Sequence, residues 1–193
     1  MGNIHSRIIW DPRKCGPGTH PTNFAEFFDL KKFPGRRALP NRADLVLEVA
    51  LLADGACSNE IYPLDIDRAL KALDRGRSGI ASWFSTTTQG VSLVQTGELD
   101  CSFSFASRAK ATNEPGGGRP LASSFEQNVF SCETFAVLKR APNRQNAMKL
   151  IGYILRPEVQ VEVGGGVRGP HSQMAARPGE SQKSFYRFDL LGR

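Results

Sequence analysis

Gly and Pro residues divide this sequence into short segments, and the segments alternate between two kinds of hydrophobic pattern. Some carry apolar residues at helical spacing, whereas others are short apolar runs typical of strands. Short strands that alternate with amphipathic helices favour an α/β fold, in which helices cover the faces of a sheet. A chain of 193 residues with 40% hydrophobic content can fill such a core.

The helical pattern is clearest in three segments. Helices are expected near residues 44–54, 66–75 and 143–155, where apolar residues recur every three or four positions. Asp65 is placed to cap the second of these helices. The residues expected to form the buried stripe of that helix are Ile66, Leu70 and Leu73. A shorter helix should follow a cap at Thr22 or Asn23.

Three runs have the pattern of strands. They cover residues 80–84, 99–105 and 132–138, and in the second run Cys101, Phe103 and Phe105 should share one face. We expect the runs 99–105 and 132–138 to lie in one sheet, with the helices packed on its faces.

The charge of the chain excludes one class of partner. The formal net charge is +6, but the basic residues occur as pairs spread along the whole chain. This distribution is typical of a solvated surface, so we expect no nucleic acid partner. The first residues lack the apolar core of a signal peptide, and no segment reaches the roughly 20 apolar residues of a membrane span. For the sequence as written, we expect a cytoplasmic location.

Residues that bind metals or catalyse reactions are scattered. The four cysteines have no C-x-x-C spacing, and the three histidines lie in loop-like surroundings. The motifs Gly-x-Ser-x-Gly and His-Glu-x-x-His are both missing. Gly164 to Gly166 form a cluster without the Lys-Ser/Thr ending of a phosphate loop. We therefore expect no metal, no cofactor and no enzymatic activity.

One carboxylate stands out because it interrupts an apolar run. Glu133 lies in the expected strand 132–138, just ahead of the helix near 143–155. In one interpretation it is a group that binds a ligand at a strand end. In the other it is an ordinary glutamate on the solvent face, because side chains of a strand alternate between two faces.

Six stretches occur in an order and spacing that resemble a known family. They are "FAEFFDLKKFPGRRAL", "LLADG", "YPLDIDRALKALD", "LVQTGELD", "LKRAPNRQNAMKLIGYILRPEVQ" and "GPHSQMAA". Over about residues 8–176 the chain resembles bacterial extracellular solute-binding proteins of ABC transporters, in particular the spermidine/putrescine-binding type. The resemblance implies the periplasmic-binding-protein type II fold, in which two α/β lobes close over a solute. It also implies a periplasmic location, a small cationic solute such as a polyamine, and ABC permease subunits in the membrane as partners.

The same resemblance implies ligand-binding residues. Glu133 takes the position of a carboxylate that pairs with an ammonium group, and Phe105 takes that of a stacking aromatic residue. Core packing would also explain Phe105. The polar turn that faces the ligand in the family corresponds here to Thr86, Thr88 and Gln89.

Three positions depart from the family pattern. Ser131 stands where the family commonly has an aromatic residue two positions before the carboxylate. Asn41 and Arg42 replace an acidic pair that polyamine binders carry, and a positive charge at this place opposes a diamine. The resemblance therefore supports a solute-binding protein better than it supports polyamine as the solute.

The resemblance also predicts how the chain is divided. Residues 1–20 correspond to a crossover strand and linker, 21–168 to the second α/β lobe, and 169–193 to the return crossover and carboxy-terminal segment of the first lobe. This is an incomplete two-lobed flytrap. Two interpretations stay open: a truncated substrate-binding component, or a basic interaction module or decayed paralogue that keeps the fold and no longer binds solute.

Overall fold

The computed structural model describes residues 3–16, 18–132 and 134–159 of the chain. They fall into two compact units. The larger unit covers residues 5–130, and the described part of the other covers residues 3–4, 131–132 and 134–159. The domain boundaries expected from the resemblance at residues 20 and 168 stay a prediction.

The described elements alternate between strands and helices. The strands are β1 Asn3–Trp10, β2 Arg37–Pro40, β3 Ile80–Phe84, β4 Cys101–Phe105, β5 Ala122–Ser123 and β6 Val129–Cys132. The helices are α1 Phe24–Phe28, α2 Val46–Ala53, α3 Ile66–Gly76, α4 Thr87–Thr96, α5 Ala106–Ala111 and α6 Arg144–Ile154. In the described part of the chain, no helix is both long and apolar enough to span a bilayer.

The strands form one mixed sheet in the order β3-β2-β4-β1-β5, and β6 pairs with β1. Strand β2 is parallel to both β3 and β4, whereas β1 is antiparallel to β4 and β5. Helices separate the parallel strands along the chain, as a parallel crossover requires. The α/β fold class with a mixed sheet flanked by helices is confirmed.

Both faces of the sheet are buried. On one face Ile8 and Phe103 belong to a core that also holds residues of α1 and α2. On the other face Ile9 belongs to a core with residues of α4 and α5. Neighbouring residues of β1 thus point into opposite cores, because strand side chains alternate between two faces. In β4, Cys101 and Phe103 lie in the first core and Phe105 packs against it, which confirms the alternation expected for this strand.

Helices α1 and α3 begin at the expected caps. The side chain of Asn23 accepts from the Glu26 backbone N–H at the start of α1, and that of Asp65 accepts from the Arg68 N–H at 2.9 Å. At the start of α4 the Thr86 hydroxyl accepts from the Gln89 N–H. These bonds satisfy backbone donors that lack a partner within the helix.

The buried face of α3 differs from the expected one. Ala69, Ala72 and Gly76 are buried, whereas Ile66 is 55% and Leu70 is 49% exposed. The expectation was wrong for Ile66 and Leu70, because periodicity alone does not show which face meets a neighbour. Leu73 is half-buried and packs against the core as expected. Here the face of small residues packs against α2, where short side chains allow a close approach of the two helices.

The strand expected over residues 132–138 is also corrected. Strand β6 ends at Cys132, and residues 134–138 have irregular backbone, with Phe135 51% and Leu138 78% exposed. A strand needs a backbone partner as well as an alternating pattern, and the pairing with β1 involves the segment Val129–Cys132. Hydrophobic alternation therefore placed this strand too late in the chain.

The third expected helix is confirmed as α6. None of its residues is buried, and all of them lie within the described residues. Its exposed apolar side chains include Met148, Leu150 and Tyr153. The packing of this helix on the sheet concerns both units and stays a prediction.

Two substitutions in α3 test which of its faces is buried. Ala69→Leu should lower the free energy of unfolding by about 1–3 kcal/mol, because the larger side chain overpacks the contact with α2. Leu70→Ala removes a half-exposed side chain and should cost less than about 1 kcal/mol. Urea unfolding of both variants decides the matter. A larger loss for Leu70→Ala than for Ala69→Leu would restore the stripe expected from periodicity.

Candidate functional site

A pocket of about 250 Å³ opens at one edge of the sheet in the larger unit. The parallel strands β2, β3 and β4 all end at this edge. Strand β1 runs the other way and brings Ser6 opposite Phe105, the last residue of β4. Ligands of open α/β sheets commonly bind at the carboxyl ends of parallel strands, so this edge is the candidate site.

The lining of the pocket combines apolar residues, three of them aromatic, with polar residues. Its apolar residues are Pro40, Leu45, Phe84, Phe103 and Phe105. Its polar residues are Ser6, Asn41, Arg42, Ser85, Thr86, Thr87 and Ser104. Among the described lining residues none is acidic, so the charge available to a bound molecule comes from Arg42.

The first turn of α4 borders the pocket. Thr86 and Thr87 line it, and Thr86 also caps the helix. Gln89 supports the turn, because its side-chain oxygen accepts from the Ser85 N–H at 3.3 Å. The hydroxyls of Thr86 and Thr88 are 3.3 Å apart. Backbone N–H groups and the helix dipole make the start of a helix attractive to anions.

Among the described lining residues, Ser6 has a buried hydroxyl without a hydrogen-bond partner. Its side chain is 1% exposed, and its hydroxyl makes no hydrogen bond within the described residues. A buried hydroxyl normally has a partner, and leaving one without a partner costs about 1–3 kcal/mol. Because Ser6 lines the pocket, a bound polar atom could supply the missing bond.

Arg42 carries the charge of the site and is paired locally. Its Nε donates to Oδ1 of Asp44 at 2.8 Å, and its Nη2 contacts Oδ2 of the same carboxylate. The hydrogen bond with Asp44 raises the pKa of Arg42, and that with Arg42 lowers the pKa of Asp44. Both groups are therefore charged at neutral pH.

The backbone that carries this pair is held firmly. The N–H of Asn41 donates to the Phe84 carbonyl at 2.8 Å, and that of Arg42 donates to the Pro40 carbonyl at 2.9 Å. Leu45 follows with a φ of 70°, a conformation that favours glycine, while its side chain is buried in the core. Strain of this kind persists only where surrounding packing enforces it, and it is common at ligand sites.

The structure brings together some of the residues expected from the sequence. Thr86 and Phe105 line the pocket, and Thr88 and Gln89 lie beside Thr86 in the first turn of α4. Their role as ligand-binding residues stays a prediction.

The other two expected site residues lie elsewhere in the chain. Ser131 is half-buried in β6 and belongs to the smaller unit. Glu133 lies outside the described residues, so its assignment also stays a prediction.

Sequence reasoning missed several donors of the pocket. It recognised Arg42 as a departure from polyamine binders, but it did not select Ser6, Ser85 or Ser104. Ser85 follows β3 directly and could have been found from its place at the carboxyl end of a parallel strand. Ser6 could not, because it reaches the pocket through the antiparallel pairing of β1 with β4.

Comparison with known proteins places the chain among solute-binding proteins. Residues 8–183 match the family of bacterial extracellular solute-binding proteins. The chain is 31% identical over 145 residues to the gamma-aminobutyric acid-binding protein of Pseudomonas aeruginosa. The aligned region covers 72% of this chain and 40% of that protein. It is 25% identical over 164 residues to the spermidine/putrescine-binding periplasmic protein of Escherichia coli. The aligned region covers 84% of this chain and 47% of that protein.

A solved structure supports the same placement. The structure resembles an ABC transporter substrate-binding protein from Bradyrhizobium japonicum with a TM-score of 0.79 and 29% identity, covering 92% of this chain and 55% of that one. The chain thus spans about half the length of the relatives it matches. Members of the family are extracellular or periplasmic and catalyse no reaction, which confirms the expectation that no enzyme is involved. The match over residues 8–183 shows that the chain belongs to the bacterial extracellular solute-binding protein family.

Proposed function

We propose that this chain supplies part of the solute cleft of the binding component of an ABC importer, and that its pocket receives a carboxylate group of the solute. The observation that carries the proposal is the convergence of Arg42, the first turn of α4 and the unpartnered Ser6 hydroxyl on one pocket. Arginine binds carboxylates through paired hydrogen bonds, and helix starts and hydroxyls donate to the same oxygens.

The described lining holds no carboxylate, which argues against a diamine at this position. Each ammonium group of a polyamine needs a carboxylate or an aromatic face when it leaves water. The described lining offers Phe105 and two other aromatic rings, but its ionised group is the guanidinium of Arg42. A cationic solute would therefore depend on acidic residues elsewhere, and Glu133 is the candidate that the family resemblance provides.

An amino acid would reconcile the two kinds of relative. The Pseudomonas aeruginosa protein is named for gamma-aminobutyric acid, which has one carboxylate and one amine. The Escherichia coli protein is named for spermidine and putrescine, which are amines. A solute with its carboxylate at Arg42 and its ammonium at the face of Phe105 would use both the charged and the aromatic part of the lining. Polyamine remains the second candidate because of the amine-binding relative.

The remaining steps follow from the family. The bound solute would be enclosed by the part of the cleft that lies outside this pocket and would pass to permease subunits in the membrane. Enclosure strengthens each charge interaction, because water is excluded from the cleft. The chain alone should therefore bind weakly, with a dissociation constant on the order of 1 mM.

The carboxylate proposal is tested by NMR titration of the 193-residue chain with butyrate, gamma-aminobutyric acid and putrescine at low ionic strength. Butyrate and gamma-aminobutyric acid should shift the amide signals of residues 85–87, and Arg42→Gln should raise both dissociation constants about three- to tenfold. The effect is moderate because Arg42 is 46% exposed and water screens its charge.

Arg68→Gln is the matched control for this titration. Arg68 is 44% exposed, pairs with Asp54 and is not among the described lining residues. Its loss should leave the titration unchanged. Saturable binding of putrescine at residues 85–87 without binding of butyrate would overturn the proposal in favour of polyamine.

A second substitution tests the amine end of the solute. Glu133→Gln should raise the dissociation constant of gamma-aminobutyric acid about tenfold or more, because a charge-assisted contact contributes roughly 1.5–3 kcal/mol. Butyrate has no amine and should bind as before. Glu158→Gln, at an exposed glutamate in the described part of the smaller unit, serves as control. Equal losses for butyrate and gamma-aminobutyric acid would show that Glu133 does not bind the ammonium group.

A further inference from the structure

The guanidinium that would bind the solute already holds a carboxylate from its own chain. Nε and Nη2 of Arg42 both contact the carboxylate of Asp44, two residues along. This is the side-on, two-bond arrangement that arginine forms with carboxylates in general. Arg42 lines the pocket, whereas Asp44 is not among its described lining residues. Asp44 thus neutralises the charge of the pocket from outside it.

We infer that Asp44 is a built-in competitor that a solute carboxylate displaces from the side-on edge of Arg42. The inference rests on the proposed function, because it concerns the same carboxylate site. Asp44 occupies the side-on edge formed by Nε and Nη2, so a solute carboxylate that takes the same edge replaces it, whereas one that took the Nη1 end would bind beside it. Binding is then an exchange of one ion pair for another.

The competitor can be displaced because its pair with Arg42 is exposed. The side chains of Arg42 and Asp44 are 46% and 61% exposed, and exposed pairs contribute little to stability. Asp44 also lies just ahead of α2, whose capping residue Leu45 makes no side-chain capping bond. When the solute displaces it, Asp44 still has a favourable place near the positive end of that helix.

The backbone around Leu45 keeps Asp44 within reach of Arg42. Leu45, with its positive φ and buried side chain, fixes the backbone on one side of the pair. The hydrogen bond from the Arg42 N–H to the Pro40 carbonyl fixes it on the other side. The two side chains therefore meet without a large loss of backbone freedom, and the pair re-forms as soon as a solute leaves.

Exchange of this kind selects among solutes. A carboxylate alone replaces Asp44 at Arg42 and gains little, because one charged pair takes the place of another. A solute that also satisfies the Ser6 hydroxyl or the start of α4 gains contacts that Asp44 does not make. The device thus favours solutes that fill the pocket over simple anions.

Removal of the competitor tests the inference. Asp44→Asn should lower the dissociation constant of butyrate, measured by NMR titration of the 193-residue chain, by about two- to fivefold. The same variant should weaken any binding of putrescine, because the pocket is then positively charged. Asp54→Asn changes the net charge equally at a carboxylate that pairs with Arg68 and Arg75 and is not among the described lining residues, so it should leave butyrate binding unchanged. Asp44→Ser repeats the test with a smaller neutral side chain, in case the amide disturbs the start of α2.

The outcomes separate this inference from the proposed function. If Arg42→Gln weakens butyrate but neither Asp44 variant tightens it, Asp44 positions Arg42 instead of competing, and the inference fails alone. If Arg42→Gln has no effect on butyrate, the carboxylate site itself is wrong. Butyrate binding that is seen only after Asp44 is replaced supports both. Absence of butyrate binding in every variant overturns both.

Discussion

The parallel pairing of β2 with both β3 and β4 is the constraint on which the rest of the site depends. It brings three strand ends to one edge of the sheet, and each end contributes residues that line the pocket. The ladder of backbone bonds can form only because both faces of the sheet are covered by helices, which keep water away from it. The pocket is therefore a consequence of strand order, and its chemistry is free to vary in the residues that follow each strand.

The site built on this edge combines donors that differ in how freely they can respond to a solute. Ser6 is fixed in a strand and buried, and the first turn of α4 is fixed by its cap. Arg42 is exposed and exchangeable. A rigid set of neutral donors can discriminate by shape, whereas the exposed charge adds attraction without fixing position. This division suits the proposed role, in which a solute is bound and later released.

Much of the fold could be predicted from the sequence, because local signals agree with the tertiary structure. The segments that became α2, α3, β3 and β4 had clear periodicity together with caps or Gly and Pro at their ends. The buried face of α3 could not be predicted, since only the neighbouring helix decides that alanines rather than larger residues face inward. The order of the strands in the sheet could not be predicted either, because local sequence patterns do not show which strands pair.

The place of β1 in the sheet has a consequence for how the chain folds. It is the first strand in sequence, yet it lies between β4 and β5 and pairs with both. During synthesis it must wait until nearly the whole larger unit has emerged before its partners exist. Pairings between distant parts of a chain form slowly, and an unpaired strand as apolar as this one invites contacts with other chains meanwhile. Heterologous production of this chain should therefore depend on what protects the segment Asn3–Trp10 until β4 and β5 have been synthesised.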